Sequence, residues 1–459
     1  MSDGFSGDLR QVCDFVAGLS WSQIPEAVRQ RAVDVLADDL AAMAAGAGEP
    51  ELRHFMRRVC GRAGGGGHSL LIAPGLPAAA LLDAASWNAL AGNWCELDEG
   101  FRLAICHAGI YTLPALMAEA GARGATLGQV LLALTGAYEL VTRCAMSFHS
   151  MPPVVHGHAL WSATGAAAAV GLLRGYTGEQ LLLAVTGAIT MASMGPRSHL
   201  MSGVMVRNGW AAAGAVNGIM AADWADAGFG GSHRSMEEVV CGIARAEPRA
   251  GELTRELGER WSLLHGYQKQ YSCCQHGHSA VEACLALQSA HDVDAARIRR
   301  IHLLTHPLAL TLDTVHPDTT LGARFSLPHM VAAALHRRTG GPGAFASDTL
   351  KDTVIAGLRE KVAMELAPHP MQPPHDRPAW LEVELEDGTV LSAECLSAMG
   401  SPDNPISRDQ FRRKLRELGQ DVLPGLAAVI EPGNWRRALG MPLNDCLRSA
   451  AADGGVIPG

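Results

Sequence analysis

Apolar residues recur at helical spacing over the first 265 positions of the chain. Leu9, Val12, Phe15 and Leu19 lie three or four residues apart, and the same spacing continues over residues 28–40. Side chains at this spacing share one face of a helix, which can then pack onto a core. The pattern predicts helices over residues 8–265, and the small residues at 165–170 predict two helices in close contact.

Helix starts are also marked by a hydroxyl residue with glutamine three positions later. The hydroxyl accepts a hydrogen bond from the backbone of the third helical residue, and the glutamine returns one to the cap. The pairs are Thr126 with Gln129, Thr177 with Gln180, and Ser407 with Gln410. The last pair predicts that the C-terminal segment is helical as well.

The pattern changes after residue 265. Residues 299–306 alternate like a strand, and residues 381–386 alternate strictly before Asp387-Gly388 and a second run at 389–391. Such alternation around Asp-Gly predicts a β-hairpin. Because residues 325–336 again have helical spacing, the middle of the C-terminal half is predicted to be α+β.

Composition is ordinary for a globular protein, with 48% hydrophobic and 18% charged residues. Aromatic residues make up only 5%, and the abundance of Ala and Gly favours close-packed helices over sheets. No run of about 18 apolar residues occurs, and the first ten residues lack an apolar core, so neither a membrane span nor a secretory signal is expected. The 11 scattered cysteines then predict reduced thiols in the cytoplasm.

The formal net charge is -9, and no cluster of Lys or Arg resembles a nucleic-acid footprint. No nucleic-acid partner is therefore expected. Because an acidic surface repels anions, any site for an anionic ligand must be a local basic pocket.

Four clusters carry side chains suited to chemistry. They are Glu96-Leu97-Asp98-Glu99 followed by His107; His156-Gly157-His158; Arg197, His199 and Arg207; and Lys269, Cys273, Cys274, His276 and His278. Each also has a structural interpretation, because acidic runs often end helices in solvent, and lone His or paired Cys residues often pack in cores. The two His-x-His pairs could bind zinc or iron. Since neither lies in a His-Glu-x-x-His or Cys-x-x-Cys frame, we predict no metal, and the absence of Gly-x-Ser-x-Gly argues against a serine hydrolase.

Six segments in order along the chain resemble the MmgE/PrpD family. They are residues 88–107 with the acidic motif and His107, His156 ahead of the Gly-Ala-rich stretch at 165, residues 207–222, residues 269–278, residues 324–328, and residues 402–407. The resemblance implies a mainly α fold, with a large all-helical domain built from both chain ends, at 1–265 and 406–459. A smaller α+β lid domain is inserted at 266–405. It also implies a homodimer that works without a metal or organic cofactor.

Members of the family dehydrate methylcitrate, decarboxylate cis-aconitate or epimerise a related dicarboxylate. Each reaction moves a proton at a carbon beside a carboxylate, a task suited to histidine near pH 7. The resemblance implies His107 and His156 as the acid/base pair, with Asp98 as their carboxylate partner. The residues implied to bind or surround a small di- or tricarboxylate are Lys269, Arg207, Glu96, Glu99, Cys274 and His278.

The chain departs from the family pattern at several of these positions. Glu96-Leu97-Asp98-Glu99 replaces Asp-aromatic-Asp-Asp, and Arg207 stands where a Lys is expected. Cys274 replaces a His of some decarboxylases, and Ser272 replaces a Pro. A lyase is predicted, with an epimerase on the same scaffold or a non-catalytic ligand-binding protein as alternatives, and the exact substrate stays open.

Overall fold

The computed structural model describes residues 2–62, 67–149, 154–368 and 372–452. Helices dominate the first 240 positions. They are α1 (Ser2–Ala17), α2 (Glu26–Ala47), α3 (Arg53–Arg62), α4 (Leu81–Trp94), α5 (Ala108–Arg123), α6 (Leu127–Ser147), α7 (Gly157–Leu173), α8 (Gly178–Thr190), α9 (Arg197–Met201), α10 (Gly209–Asp226) and α11 (Ser235–Glu237). The capping boxes predicted at Thr126 and Thr177 are both formed, which fixes the starts of α6 and α8.

Small residues let α7 approach α5 and α10 closely. A Cβ added at Gly218 of α10 would lie 2.4 Å from the Cβ of Ala166, and one added at Gly165 would lie 2.9 Å from the Cβ of Tyr111. These separations are too short for any side chain, so glycine is required where the helices touch. The close packing predicted from residues 165–170 is confirmed.

The C-terminal helices return to the N-terminal ones. They are α17 (Arg408–Gly419), α18 (Leu426–Val429), α19 (Pro432–Ala438) and α20 (Leu443–Ala451). Ser407 forms its predicted capping box at the start of α17. Lys414 pairs with Asp38 of α2 at 2.6 Å, and Phe411 and Trp435 lie in the same hydrophobic core as the N-terminal helices. One helical core is therefore built from both chain ends, which confirms the predicted fold class.

A second hydrophobic core lies in the segment between them. Its strands are β7 (Ile298–Thr305), β8 (Val362–Leu366), β9 (Ala379–Leu385) and β10 (Val390–Cys395), and they form one sheet in the order β10–β9–β7–β8. The helices of this segment are α12 (His278–His291), α13 (Pro307–Leu310), α14 (Thr320–Arg324), α15 (Leu327–Arg337) and α16 (Thr353–Arg359). The predicted hairpin is present, with Val390 opposite Glu384. We propose that this α+β lid spans residues 266–405.

Two-residue strands complete the structure. They are β1 (Ser69–Leu70), β2 (Ala78–Ala79), β3 (Gly100–Phe101), β4 (Phe148–His149), β5 (Glu247–Pro248) and β6 (Gly266–Tyr267). The β3–β6 pair sets Gly100 opposite Tyr267, so the acidic segment lies beside the strip that begins the lid. In the part of the chain that the structure describes, every helix is too short or too polar to cross a bilayer.

Candidate active site

The acidic segment lies inside the protein rather than in solvent. Glu96, Asp98 and Glu99 are at most 2% exposed, and Leu97 between them joins the core. Glu96 has φ of +52°, which is unfavourable for a residue with a side chain. All three carboxylates therefore have partners inside the protein, and the interpretation as a solvated helix end does not apply.

Glu96 binds both cations that the sequence predicts as carboxylate ligands. Its Oε1 lies 2.5 Å from an Arg207 guanidinium nitrogen, and its Oε2 accepts from Lys269 Nζ at 3.0 Å. Burial alone would raise the pKa of Glu96, but Arg207 and Lys269 hold it below its usual value. The guanidinium of Arg207 also lies over the Phe325 ring, 5.3 Å from its centroid. A substrate carboxylate near Lys269 or Arg207 must therefore share them with Glu96.

Asp98 connects the Lys269 ammonium to His107. Its Oδ1 lies 3.5 Å from Lys269 Nζ, and its Oδ2 lies 2.8 Å from His107 Nδ1. Against the effect of burial, Lys269 and His107 hold the pKa of Asp98 below its usual value. His107 Nδ1 is also 2.9 Å from the Glu99 carbonyl oxygen. Because two oxygens face this nitrogen, we assign the proton of neutral His107 to Nδ1, which leaves a lone pair on Nε2.

His156 has the opposite tautomer to His107. It is the N-cap of α7, and its Nδ1 accepts a hydrogen bond from the His158 backbone N–H at 3.2 Å. The neutral ring therefore carries its proton on Nε2. Burial, with the charges of Arg207 and His107, lowers the pKa of His156 well below its usual value. His156 is accordingly a neutral hydrogen-bond donor at pH 7.

His158 lies between the two predicted catalytic histidines. Its ring centroid is 4.9 Å from that of His107 and 4.7 Å from that of His156. Its Nδ1 lies 3.1 Å from the Tyr111 hydroxyl, and its Nε2 lies 3.9 Å from Asp98 Oδ2. Burial and the charge of Arg207 lower its pKa well below the usual value. This neutral ring separates His107 from His156 and fixes their spacing.

Glu99 holds the helix that begins after His107. Its two carboxylate oxygens accept from the Gly109 backbone N–H at 2.6 Å and the Tyr138 hydroxyl at 2.9 Å. Burial raises the pKa of Glu99 to about 7. Asp39 reinforces the contact by accepting from the Glu99 backbone N–H at 3.1 Å. Glu99 does not line the active-site cavity, so we infer that it positions α5.

A cavity of about 70 Å³ lies in front of this cluster. Its lining includes six of the residues predicted from the sequence: Glu96, His107, His156, Arg207, Lys269 and Cys274. Arg197 and Arg377 line it as well, and neither has a carboxylate within ion-pair distance among the described residues. Burial and the charge of Arg102 lower the pKa of Arg377 to about 10. Four cationic side chains thus line the cavity. It is a local basic pocket of the kind that an acidic protein needs in order to bind an anion.

The strip after Lys269 contributes Cys274 and His276 to the cavity lining, but not His278. Cys274 lines the cavity, and burial raises the pKa of its thiol. His278 instead begins α12, with its Nε2 3.2 Å from the Cys273 carbonyl oxygen and its ring 5.2 Å from Tyr271. Burial and Lys269 lower the pKa of His278 to about 3. His276, between the two, lines the cavity.

Several lining residues lie outside the set that the sequence predicts. Arg197 and His276 belong to the clusters noted in the sequence, but nothing local distinguishes them from their neighbours. Tyr267 precedes Lys269 by two positions, and in an extended chain such residues share a face. Arg377 follows no motif, and only the fold brings it here. Within the described ranges, no three His, Cys, Asp or Glu side chains are arranged to hold a metal ion.

Known proteins resemble the chain over most of its length. The model of the MmgE/PrpD N-terminal domain matches residues 10–246, and that of the C-terminal domain matches residues 271–431. The chain is 25% identical to a cis-aconitate decarboxylase-like protein of Aspergillus oryzae over 446 residues, 90% of either chain. It is 24% identical to a cis-aconitate decarboxylase of Aspergillus terreus over 457 residues, 92% of this chain and 91% of the other.

Proposed function

Because the chain belongs to the MmgE/PrpD family, we propose that it is a lyase that removes water or carbon dioxide from a small di- or tricarboxylate. It works without a cofactor, by acid–base catalysis at His107 and His156. The observation that carries the proposal is the cavity where both imidazoles meet four cationic side chains. The similarity to cis-aconitate decarboxylases supports the same class of reaction.

The substrate carboxylates bind to the cationic wall. Arg197 and Arg377 offer guanidinium groups without a carboxylate partner among the described residues, and a guanidinium can hold a carboxylate through two parallel hydrogen bonds. Lys269 and Arg207 add positive potential that Glu96 partly neutralises. The proposed substrate-binding residues therefore include Arg197 and Arg377 in addition to those predicted from the sequence.

His107 and His156 have different roles. His107 presents a free Nε2, and the carboxylate of Asp98 at its Nδ1 stabilises the imidazolium that forms when the ring takes a proton. His156 presents Nε2–H as a neutral donor, since its Nδ1 is occupied by the His158 backbone. His107 is therefore the proton-transfer group at carbon, and His156 the donor to the departing or developing negative oxygen.

In a dehydration, the bond between hydrogen and the carbon beside a carboxylate breaks, and His107 Nε2 takes the proton. The electron pair forms the alkene as the C–O bond breaks. The hydroxyl, which accepts a hydrogen bond from His156 Nε2–H, leaves as water with the proton that His107 has taken. In a decarboxylation, the bond to one carboxylate breaks and carbon dioxide leaves. The electron pair is delocalised toward a second carboxylate, and His107, which has first taken a proton from water at Nε2, donates it to carbon.

A panel of di- and tricarboxylic acids, each incubated with the protein and examined by mass spectrometry, tests the proposal. We expect loss of water or carbon dioxide from at least one acid, and no such loss with His107→Gln. A panel on which neither product forms would contradict it.

The epimerase alternative draws support from one observation. His158 keeps the rings of His107 and His156 apart, and two separated groups could act on opposite faces of one carbon. Deuterated water separates the reactions, because epimerisation exchanges the α-proton and leaves no alkene. A product that gains deuterium without losing water or carbon dioxide would favour it.

We also propose that the protein is cytoplasmic, and that it is a homodimer, as the family resemblance implies. All eleven cysteines are free, which fits a reducing compartment. Sedimentation velocity of the purified chain would test the dimer, and a monomer at micromolar concentration would contradict it.

A further inference from the structure

A second and much larger cavity adjoins the small one and shares six lining residues with it. Its volume is about 960 Å³, against about 70 Å³ for the inner cavity. The residues that line both are Ala104, Ile105, Gly157, His276, Leu308 and Arg377. A space of 70 Å³ holds only about five water molecules. An acid larger than about five water molecules would therefore extend past Arg377 toward the outer cavity.

The outer cavity is apolar where it meets the catalytic loops. Leu103 and Ile105 lie just before His107, and Val154 lies just before His156. These three side chains are 47%, 39% and 57% exposed. Large apolar side chains grouped at a functional site mark a surface that a ligand covers. Among the polar lining residues, Arg102 and Asp376 form an ion pair with each other.

The apolar wall of the outer cavity continues on α7. Leu160 and Trp161, in its first turns, line the cavity and are nearly buried. The helix whose N-cap is His156 thus supplies both a catalytic group and an apolar surface. A substrate with its carboxylates at the inner cavity would lay any further substituent along this wall.

We propose that the natural substrate is a di- or tricarboxylic acid that carries an apolar chain of several carbons. Its carboxylates bind at the inner cavity, and its chain lies against Ile105, Val154 and the first turns of α7. The inference rests on the proposed function for the position of the carboxylates. It adds the class of substituent that the site accepts.

Chain length gives a quantitative test. Each buried methylene group tightens binding about fourfold, because its transfer from water is favourable. We expect the Kd of succinate and its 2-methyl, 2-ethyl, 2-butyl and 2-hexyl derivatives, measured by calorimetry, to fall about fourfold per added carbon. Alkyl-substituted citrates should show the same trend in kcat/KM.

A matched pair of variants locates the chain. Val154→Asp places a charge in the outer cavity, whereas Val390→Asp changes a valine of similar exposure, 60%, on β10 of the lid sheet. The ratio of the Kd of succinate to the Kd of 2-hexylsuccinate should be at least tenfold smaller in Val154→Asp than in the wild type. The same ratio should be unchanged in Val390→Asp.

The outcomes separate this inference from the proposed function. Turnover of an unsubstituted acid with a Kd series that is flat in chain length would overturn the inference alone. A Kd that falls steeply with chain length, without loss of water or carbon dioxide from any acid, would contradict the lyase proposal. It would still support a ligand that carries an apolar chain. If Val154→Asp, but not Val390→Asp, changed the oligomeric state in sedimentation, a second copy would cover the cavity and the inference would be wrong.

Discussion

Replacing Lys269 with methionine should weaken both substrate binding and the fold, because its ammonium neutralises two buried carboxylates. Lys269 is 1% exposed and lies 3.0 Å from Glu96 and 3.5 Å from Asp98. Removing one partner of a buried ion pair costs about 3–5 kcal/mol, since the remaining charge has neither water nor a counter-ion. For a chain of 459 residues this corresponds to a fall in Tm of roughly 3–5 °C.

The loss should depend on pH. In the wild-type protein burial opposes ionisation of Asp98, and Lys269 and His107 nevertheless hold its pKa low. Without Lys269 the effect of burial dominates, so we expect the folded-state pKa of Asp98 to rise above its unfolded value. The protonated form then favours folding at low pH, and ionisation costs stability as the pH rises. The Tm deficit of Lys269→Met should therefore be larger at pH 8 than at pH 5.

Two further variants make the test specific. Glu96→Gln in the Lys269→Met background removes the excess negative charge and should recover about 1–3 kcal/mol. Lys414→Met breaks the buried Asp38 pair at 2.6 Å, away from the active-site cavity. It should lower Tm to a similar extent without changing KM. An unchanged Tm in Lys269→Met, or no recovery with Glu96→Gln, would refute the charge-balance argument.

Other predictions follow from the same geometry. His107→Gln and His156→Asn, the latter keeping a helix cap, should lower kcat by about two to four orders of magnitude while Tm stays near that of the wild type; near-normal turnover would contradict the assignment. Arg197→Met should raise KM about tenfold or more, and kcat of the same variant should be measured for comparison. Dialysis against a strong chelator should leave the rate unchanged, and a loss restored by zinc or iron would contradict the cofactor-free proposal. Because burial raises the pKa of Glu99 to about 7, the folded protein holds a proton that the unfolded chain has released. Stability should therefore fall as pH rises from about 4.5 to 7, and Glu99→Gln should remove that part of the pH–Tm profile.

Local features of the fold could be predicted because they depend on residues close in sequence. The capping boxes at Thr126, Thr177 and Ser407 involve a cap and a residue three positions later, and all are formed. The hairpin around Asp387-Gly388 likewise needs only alternation and a turn, and it is present. Helical spacing and small residues sufficed for the mainly α class.

The residues of the site could be chosen from the sequence, but not their partners. Histidine, arginine and lysine at family positions indicate proton transfer and carboxylate binding, and most of them do line one cavity. The sequence does not show that Glu96 binds Lys269, 173 positions away, or that Glu99 supports α5 instead of facing the cavity. Nor does it place His158 between the two other histidines.

The sequence by itself therefore determined the helical class, the lid sheet and the chemical types available to the site. Only the tertiary structure decided which carboxylates are neutralised, which ring nitrogens carry protons and which arginines remain for a substrate. The physical reason is that caps, turns and periodicity act over three or four residues. Burial and charge pairing, which set protonation states, depend on segments that meet only after the chain has folded.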